Sequence, residues 1–529
     1  MTQPARGDAS RGALLAAATL SGAGVMVVEL TAARALAPWF GASLYVWTNV
    51  IGVVLLALAA GYWFGGRLAD RRPEPQFLGR ILLVAAALSL PAPFLTGALG
   101  QWLLPDPEAM SPFVATDHVV TGSLVVTLLL FAPPIMLLGM VGPFVTRCLV
   151  DTGLSGGTAA GRTLAVSTLG SLGGTYLPAH FLIEEVGVRA TLLIASGLFV
   201  VAALVLLARG RGTAVATGML LAIGGLAAWG ASMPIRPTLP TADADKQTSW
   251  HEAGVLEEIE TAYQYVRVSR WQDGRTGKSE LRLSLDEGVT EFHSIRPDDG
   301  YLTGKYYDHF ALLPELFADR ADKPVDVIVL GGGAGTMGRT LRGLHGDAVR
   351  RVLCVEIDPK VAALHDRFGW SPSAPDAMLV GDARVILASA DTRFDLIILD
   401  AYAKQIAIPA HLGTVEFFRL VSQRLTSRGV FAINVSAPDL GGPLMRALIT
   451  TLKEVFPTTA VACVPGSWNV VLLAATDAER DLQPKGGIEA LDDVREGFLA
   501  GLLPAPEPGD GAQVLLDDRA PLERLARSR

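Results

Sequence analysis

The sequence predicts a two-part protein: a multi-span α-helical membrane bundle of about seven helices, then an α/β domain preceded by a small antiparallel β region. Three observations predict it. Half of the 529 residues are hydrophobic and 18% are charged, where soluble chains carry about a quarter. The apolar excess lies before Met233, and no lysine occurs before Lys246. Beyond that point, short apolar runs end one after another in glycine, Glu or Asp. This composition excludes both an ordinary soluble protein and a disordered one. It divides the chain into residues 1–235 as the membrane part, 236–252 as a linker, 253–320 as the β region with a lead-in helix, and 321–529 as the α/β domain.

A bilayer core takes about 20 apolar residues per helix. Seven segments qualify: Gly12 to Ala33, Leu44 to Phe64, Leu78 to Leu99, Val120 to Val141, Thr163 to Ile183, Ala190 to Ala208 and Thr213 to Met233. The first lacks a cleavage site followed by a soluble chain, so it reads as a span and not as a signal peptide. Arginines cluster before the first span and in the even loops, while the odd loops are acidic or poor in charge. The positive-inside rule then puts the N-terminus in the cytoplasm, and seven spans would put the back half outside it. Gly61 and Gly65, and Gly170 and Gly174, have the spacing that lets helix backbones approach closely. Glu29, at the end of the first span, reads as an interfacial acid paired with Arg34; a functional intramembrane acid is the other reading.

Three prolines between Pro234 and Trp250 mark the linker. From Gly254 to Leu285, Val266 and Val268, then Leu281, Leu283 and Leu285, alternate with polar residues around Asp273-Gly274 and Thr276-Gly277 turns, as in a small antiparallel sheet. Tyr306 to Phe317 reads as a helix.

Val325 to Leu330 is a short buried strand running into Gly331-Gly332-Gly333-Ala334-Gly335 and a helix over Met337 to Leu344. Gly331, Gly333 and Gly335 would let the backbone approach a ligand at a helix N-terminus. The next strand, Arg351 to Val355, ends in Glu356, 21 residues after Gly335, near the ~20 at which a carboxylate reaches ribose hydroxyls. Strands Ala377 to Val380 and Leu396 to Leu399 end in Gly381-Asp382-Ala383 and in Asp400. Strands Val430 to Asn434, Ala460 to Val464 and Val470 to Ala475 follow, with a helix over Val415 to Leu425. Glycine turn, Glu, Asp and Asp thus fall on one sheet edge, where doubly wound sheets bind ligands. The pattern is that of a Rossmann-like, class I methyltransferase-type domain. Such a domain is expected to take an S-adenosyl donor, with Glu356 on the ribose and Asp382 at the adenine amino group.

The net charge of −8 argues against nucleic acid as a partner. Cys148, Cys354 and Cys463 have neither disulfide nor metal-ligand spacing, and no metal is expected. The expected partners are the lipid bilayer and a small-molecule substrate, with a homo-oligomer left open.

Further segments carry a resemblance: Tyr263-Gln264, Tyr306-Tyr307-Asp308, VIVLGGGAGTMGRTL (327–341), VEIDPKV (355–361), GDAR (381–384), DLIILDAY (395–402), IPAHLGTVEFF (408–418) and LLDDRAPLERL (515–525). The chain resembles the membrane-fused spermidine synthase-like (polyamine aminopropyltransferase) family, whose front is half-transporter-like. The resemblance implies a transferase acting on decarboxylated S-adenosylmethionine and a polyamine acceptor such as putrescine, at a multi-pass inner membrane. It implies Asp400 as the carboxylate nearest the reacting centre, Tyr306 as its assistant and Gln264 as a substrate-orienting group. The family's acid in the glycine turn is Ala334 here, and its second fourth-strand acid is Ala403. Glu416 or Asp308 would have to substitute for that acid. Those departures keep two alternatives open: an S-adenosylmethionine-dependent methyltransferase, or a non-enzymatic transporter-like protein with a nucleoside-sensing domain. Donor chemistry favours a cytoplasmic catalytic domain; the loop charges argue the opposite.

Overall fold

The computed structural model describes residues 10–525 apart from 41–43, 104–111, 208–210, 232, 234–249, 286–291, 320–322, 403–407, 438 and 508–512. Its contacts divide the chain into two compact units. The first takes in the described residues up to Met233 and the segment Glu258–Tyr265; the second takes in the other described residues.

The first unit is helical: α1 (Arg11–Phe40), α2 (Leu44–Arg71), α3 (Pro75–Ser89), α4 (Ala92–Leu103), α5 (Pro112–Leu130), α6 (Ala132–Gly139), α7 (Val141–Asp151), α8 (Gly156–Leu177), α9 (Ile183–Leu206) and α10 (Arg211–Ala231). Among the described residues, six helical stretches are long and apolar enough to cross a membrane, where the sequence predicts seven spans. One of them, Gly156–Leu206, has 51 residues, well over the ~20 of a single crossing. It contains non-helical Gly187, so two predicted spans fall within it. The predicted span from Val120 to Val141 is broken near Phe131 and Met140, beside Pro133-Pro134 and Pro143, because proline removes an N–H and crowds the preceding turn.

Both glycine pairs sit at helix contacts. A Cβ on Gly170 would lie 2.0 Å from the Thr19 carbonyl oxygen, and one on Gly61 2.2 Å from that of Met136. The expected pairing of Glu29 with Arg34 is not formed. Arg34 donates instead to the carbonyl oxygens of Tyr263 (2.5 Å) and Thr261 (2.7 Å), with Glu260 at 3.6 Å. These acceptors lie in a turn far along the chain, so helical spacing alone could not reveal them.

Strands β1 (Trp250–Glu260), β2 (Tyr265–Asp273), β3 (Ser279–Leu285) and β4 (Ser294–Pro297) form a sheet in that order, antiparallel from β2 to β4. The predicted lead-in helix is two short pieces, α11 (Tyr307–Ala311) and a 3₁₀ turn (Leu313–Phe317) split by Leu312 just before Pro314.

The α/β part then runs β5 (Val325–Leu330), α12 (Thr336–His345), β6 (Val349–Glu356), α13 (Pro359–Ala362), β7 (Ala377–Val380), α14 (Ala383–Ser389), β8 (Phe394–Leu399), α15 (Val415–Arg424), β9 (Leu425–Ser436), α16 (Pro443–Lys453), β10 (Thr458–Cys463), β11 (Asn469–Ala475), α17 (Asp492–Gly501), β12 (Leu502–Pro504) and α18 (Leu522–Leu525). The sheet order is β12-β10-β11-β9-β8-β5-β6-β7. From β9 to β7 the strands are parallel; β11, β10 and β12 add antiparallel. Ile328, Leu330, Ile397 and Leu399 point into one core, and Val327, Val329, Leu396 and Ile398 into the other. This period of two explains why every residue of β5 and β8 is buried: helices cover both faces. The order reverses between β5 and β8, which opens a crevice at their carboxyl ends.

Candidate functional site

The glycine turn forms because two strand ends meet there. Gly331 has φ +95°, and a Cβ on it would lie 2.4 Å from the Asp400 carbonyl oxygen and 2.6 Å from the Ala401 nitrogen. Only glycine lets the ends of β5 and β8 touch in this way. The Gly331 and Gly332 N–H groups both donate to the Val355 carbonyl, at 2.9 and 2.8 Å. Gly335, at φ +88°, is the N-cap of α12, and a Cβ there would meet Trp370 at 2.8 Å.

Glu356, at the end of β6, closes the turn from the side. Its Oε2 accepts the Gly333 N–H (2.9 Å) and its Oε1 the Asp358 N–H (3.0 Å). The carboxylate is buried, and desolvation raises its pKa while these N–H groups oppose the rise. One strand further, the Gly381 N–H donates to the Glu356 carbonyl at 2.9 Å. Asp382 then caps α14: its Oδ1 accepts the N–H groups of Arg384 (2.9 Å) and Val385 (3.0 Å). Ala383 is the first residue of that helix and is buried.

Asp400 follows β8 in the crevice, and its N–H donates to the Leu330 carbonyl at 2.8 Å. Its Oδ1 accepts from Asn434 Nδ2 (2.8 Å) and its Oδ2 from the Tyr306 hydroxyl (3.1 Å). Asn434 Oδ1 accepts in turn from Asn469 Nδ2 at 3.0 Å. The Tyr306 ring lies 4.2 Å from that of Tyr307 and edge-on to Phe310 at 6.2 Å. The Tyr402 hydroxyl donates to the Asn434 carbonyl at 2.8 Å. Burial among these rings pushes the Asp400 carboxyl up to about 7, although Asn434 and Tyr306 pull the other way. Burial, then the charge of Asp400, pushes the Tyr306 hydroxyl well above its usual value, so it stays protonated as a donor.

The structure thus gathers Gly331, Gly333, Gly335, Glu356, Asp382, Ala383, Asp400 and Tyr306 along neighbouring strand ends. Gln264 lies in the turn between β1 and β2, within the first compact unit, with its N–H on Thr261 Oγ1 at 2.9 Å. Both candidate substitute acids are hydrogen-bonded. Asp308 is spent on the Thr303 N–H and hydroxyl and the Gly304 N–H, at 2.7–2.9 Å. Glu416 accepts the Asp517 N–H at 3.0 Å. Ala334 is fully buried, with its N–H on Ser294 Oγ at 2.9 Å. Ala403 lies outside the described residues. Sequence reasoning missed Asn434 and Asn469. For Asn434 there was a signal, a polar residue ending the predicted strand Val430 to Asn434.

Residues 309–480 match the family described as the spermine/spermidine synthase domain. A "Probable polyamine aminopropyl transferase" of Bifidobacterium longum is 29% identical over 294 residues, covering 52% of this chain and 63% of the relative, so the chain spans less than two thirds of that relative's length. "Polyamine aminopropyltransferase 2" of Ralstonia nicotianae is 26% identical over 476 residues, covering 86% of this chain and 85% of the relative. Among solved structures, a probable spermidine synthase from Corynebacterium glutamicum is 24% identical, with TM-score 0.38, and covers 50% of this chain and 96% of that one. The C-terminal part of this chain therefore carries a spermine/spermidine synthase domain.

Proposed function

We propose that the chain is a membrane-bound aminopropyltransferase. It moves an aminopropyl group from decarboxylated S-adenosylmethionine to a polyamine acceptor such as putrescine. The observation that carries this reading is Asp400: a carboxylate enclosed by tyrosines, raised to about 7, and set at the mouth of the glycine turn. The acceptor nitrogen attacks the carbon beside the donor's sulfonium, a C–N bond forms, and the C–S bond electrons return to sulfur. Neutral 5′-methylthioadenosine leaves, and Asp400 takes the proton that the amine sheds. A base with a pKa near the working pH suits that task, and alignment of the two substrates supplies much of the remaining rate. Glu356 would hold the ribose hydroxyls, Asp382 the adenine amine, and Gln264 would orient a substrate. In this reading residues 1–235 anchor the protein in the inner membrane, and residues 321–529 work on the cytoplasmic side. The purified full chain should release methylthioadenosine from decarboxylated donor plus putrescine or cadaverine. No release with any amine would sink the reading. A C-terminal reporter fusion active only outside the cytoplasm would overturn the sidedness.

One observation favours a second reading. The buried Ala334 stands where the family carries an acid for the aminopropyl donor, so intact S-adenosylmethionine and methyl transfer would also suit this turn. S-adenosylhomocysteine formation in the same assay would select it. Donor binding without any turnover would select the sensing role.

A further inference from the structure

The C-terminal motif LLDDRAPLERL has no part in the chemistry above, yet it is built into the nucleoside end of the sheet edge. The Asp517 carboxylate takes both terminal nitrogens of Arg384, Oδ1 from Nη1 and Oδ2 from Nη2, each at 2.7 Å. Oδ1 also accepts from Thr414 Oγ1 at 2.7 Å. The Val415 N–H donates to the Leu515 carbonyl at 2.9 Å. Backbone and side chain thus strap this segment to residues 414–416. Arg384 adds a further bond, from Nη1 to the His411 carbonyl at 3.0 Å. His411 sits in a 3₁₀ turn (Ala410–Leu412), and its Nε2 lies 2.9 Å from Asp382 Oδ2.

A lone exposed ion pair would carry little, but this one is bidentate and tied into a network, the geometry in which Arg–carboxylate pairs hold orientation. Facing a carboxylate, Nε2 is the His411 ring nitrogen that carries the hydrogen and donates. Asp382 then has three acceptor positions filled: two by backbone N–H groups on Oδ1 and one by His411 on Oδ2. One position remains on Oδ2. It suits an exocyclic amine and repels a carbonyl in the same place.

We infer that His411, held by the Asp517–Arg384 strap, is a positioning residue that aims Asp382 at the exocyclic amine of a purine and so sets selectivity for adenine over an oxo-purine. This rests on reading Asp382 as the group that faces the donor's nucleoside. The test is calorimetric titration of the full chain in detergent with 5′-methylthioadenosine and 5′-methylthioinosine. Wild type should bind the first and discriminate against the second. Asp517→Asn and His411→Leu should each weaken methylthioadenosine binding about tenfold, the size of one charge-assisted hydrogen bond, and shrink the preference between the two nucleosides. Donor KM should rise while kcat at saturating donor stays within about twofold, and Asp517→Glu should recover most of the binding. Matching thermal midpoints keep misfolding apart; His411 and Asp517 are exposed enough for the variants to fold. Unchanged selectivity, or equal losses for both nucleosides, would overturn the inference while leaving the aminopropyltransferase reading intact. Selectivity that falls as expected in a chain that never turns over would uphold it and sink that reading. A wild type that binds neither nucleoside would sink both.

Discussion

Tyr306→Phe removes the hydroxyl at the centre of the site. The ring keeps its packing on Tyr307 and Phe310, and the donor 3.1 Å from Asp400 Oδ2 is lost together with the hydroxyl's bond to Tyr307. That donor favours the ionised carboxylate, so its loss raises the Asp400 pKa further above about 7. A hydrogen bond to a charged group contributes about 1.5–3 kcal/mol, and 1.36 kcal/mol is one pKa unit, so the expected rise is about 1–2 units. The base is active when ionised, so kcat climbs with pH through the midpoint and levels off above it. With the midpoint moved from about 7 to about 8 or 9, turnover at pH 7 falls roughly 5–50-fold and recovers above the new midpoint. The assay is methylthioadenosine release across pH 5.5–10 at saturating donor and amine. A midpoint that stays where wild type has it, or moves down, would refute the assignment of Asp400 as the base assisted by Tyr306.

Two further changes separate catalysis from structure. Asp400→Asn should lower turnover by about 10²–10⁴ and also stabilise the fold. A carboxyl raised from 3.8 to about 7 costs ~4 kcal/mol when ionised in the native state. Because the native pKa is the higher one, that cost accrues as pH rises from 3.8 and is complete above about 7. Asparagine should therefore raise the unfolding midpoint most at pH 8 and hardly at all below pH 4; a loss of stability at pH 8 would contradict the burial argument. Glu356→Ala removes the group that accepts the Gly333 and Asp358 N–H bonds. It should weaken methylthioadenosine binding about tenfold or more, and unchanged affinity by titration would refute the ribose site.

Legibility followed the apolar runs. β5 and β7 have the bounds that the sequence predicts, Val325–Leu330 and Ala377–Val380, because each is an apolar run cut off by glycine. Glu356, Asp382 and Asp400 were legible for the same reason: a charge that ends an apolar strand must lie at the sheet's edge. The helix predicted over Tyr306 to Phe317 fails at Leu312, where Pro314 forces a new start. The partners of those carboxylates were not legible. Asn434 reaches Asp400 only because β9 lies beside β8, and Asp517 meets Arg384 across 133 residues. Local periodicity reports which face a residue occupies; it does not report which strand becomes the neighbour.

Asn469 tests how far the support of Asp400 extends. Its Nδ2 donates to Asn434 Oδ1 at 3.0 Å, and Asn434 Nδ2 donates to Asp400 at 2.8 Å. Ser467 Oγ donates to Asn469 Oδ1 at 2.7 Å, which holds that amide with its nitrogen toward Asn434. The antiparallel pairing of β11 on β9 sets Asn469 opposite Ser436 and so diagonal to Asn434. Donation to Oδ1 polarises the Asn434 amide and makes its N–H a stronger donor; such cooperativity strengthens a bond by about 10–30%. Applied to a bond of about 1.5–3 kcal/mol, it gives ~0.2–0.9 kcal/mol, or a rise in the Asp400 midpoint of ~0.1–0.7 unit in Asn469→Leu. Asn434→Leu removes the bond itself and should raise the midpoint by about 1–2 units. In the double variant the Asn469 effect should vanish, because its only route to the carboxylate is gone. If Asn469→Leu still moves the midpoint in the absence of Asn434, or moves it as far as Asn434→Leu does, then Asn469 acts on the site by another path and the relay is wrong.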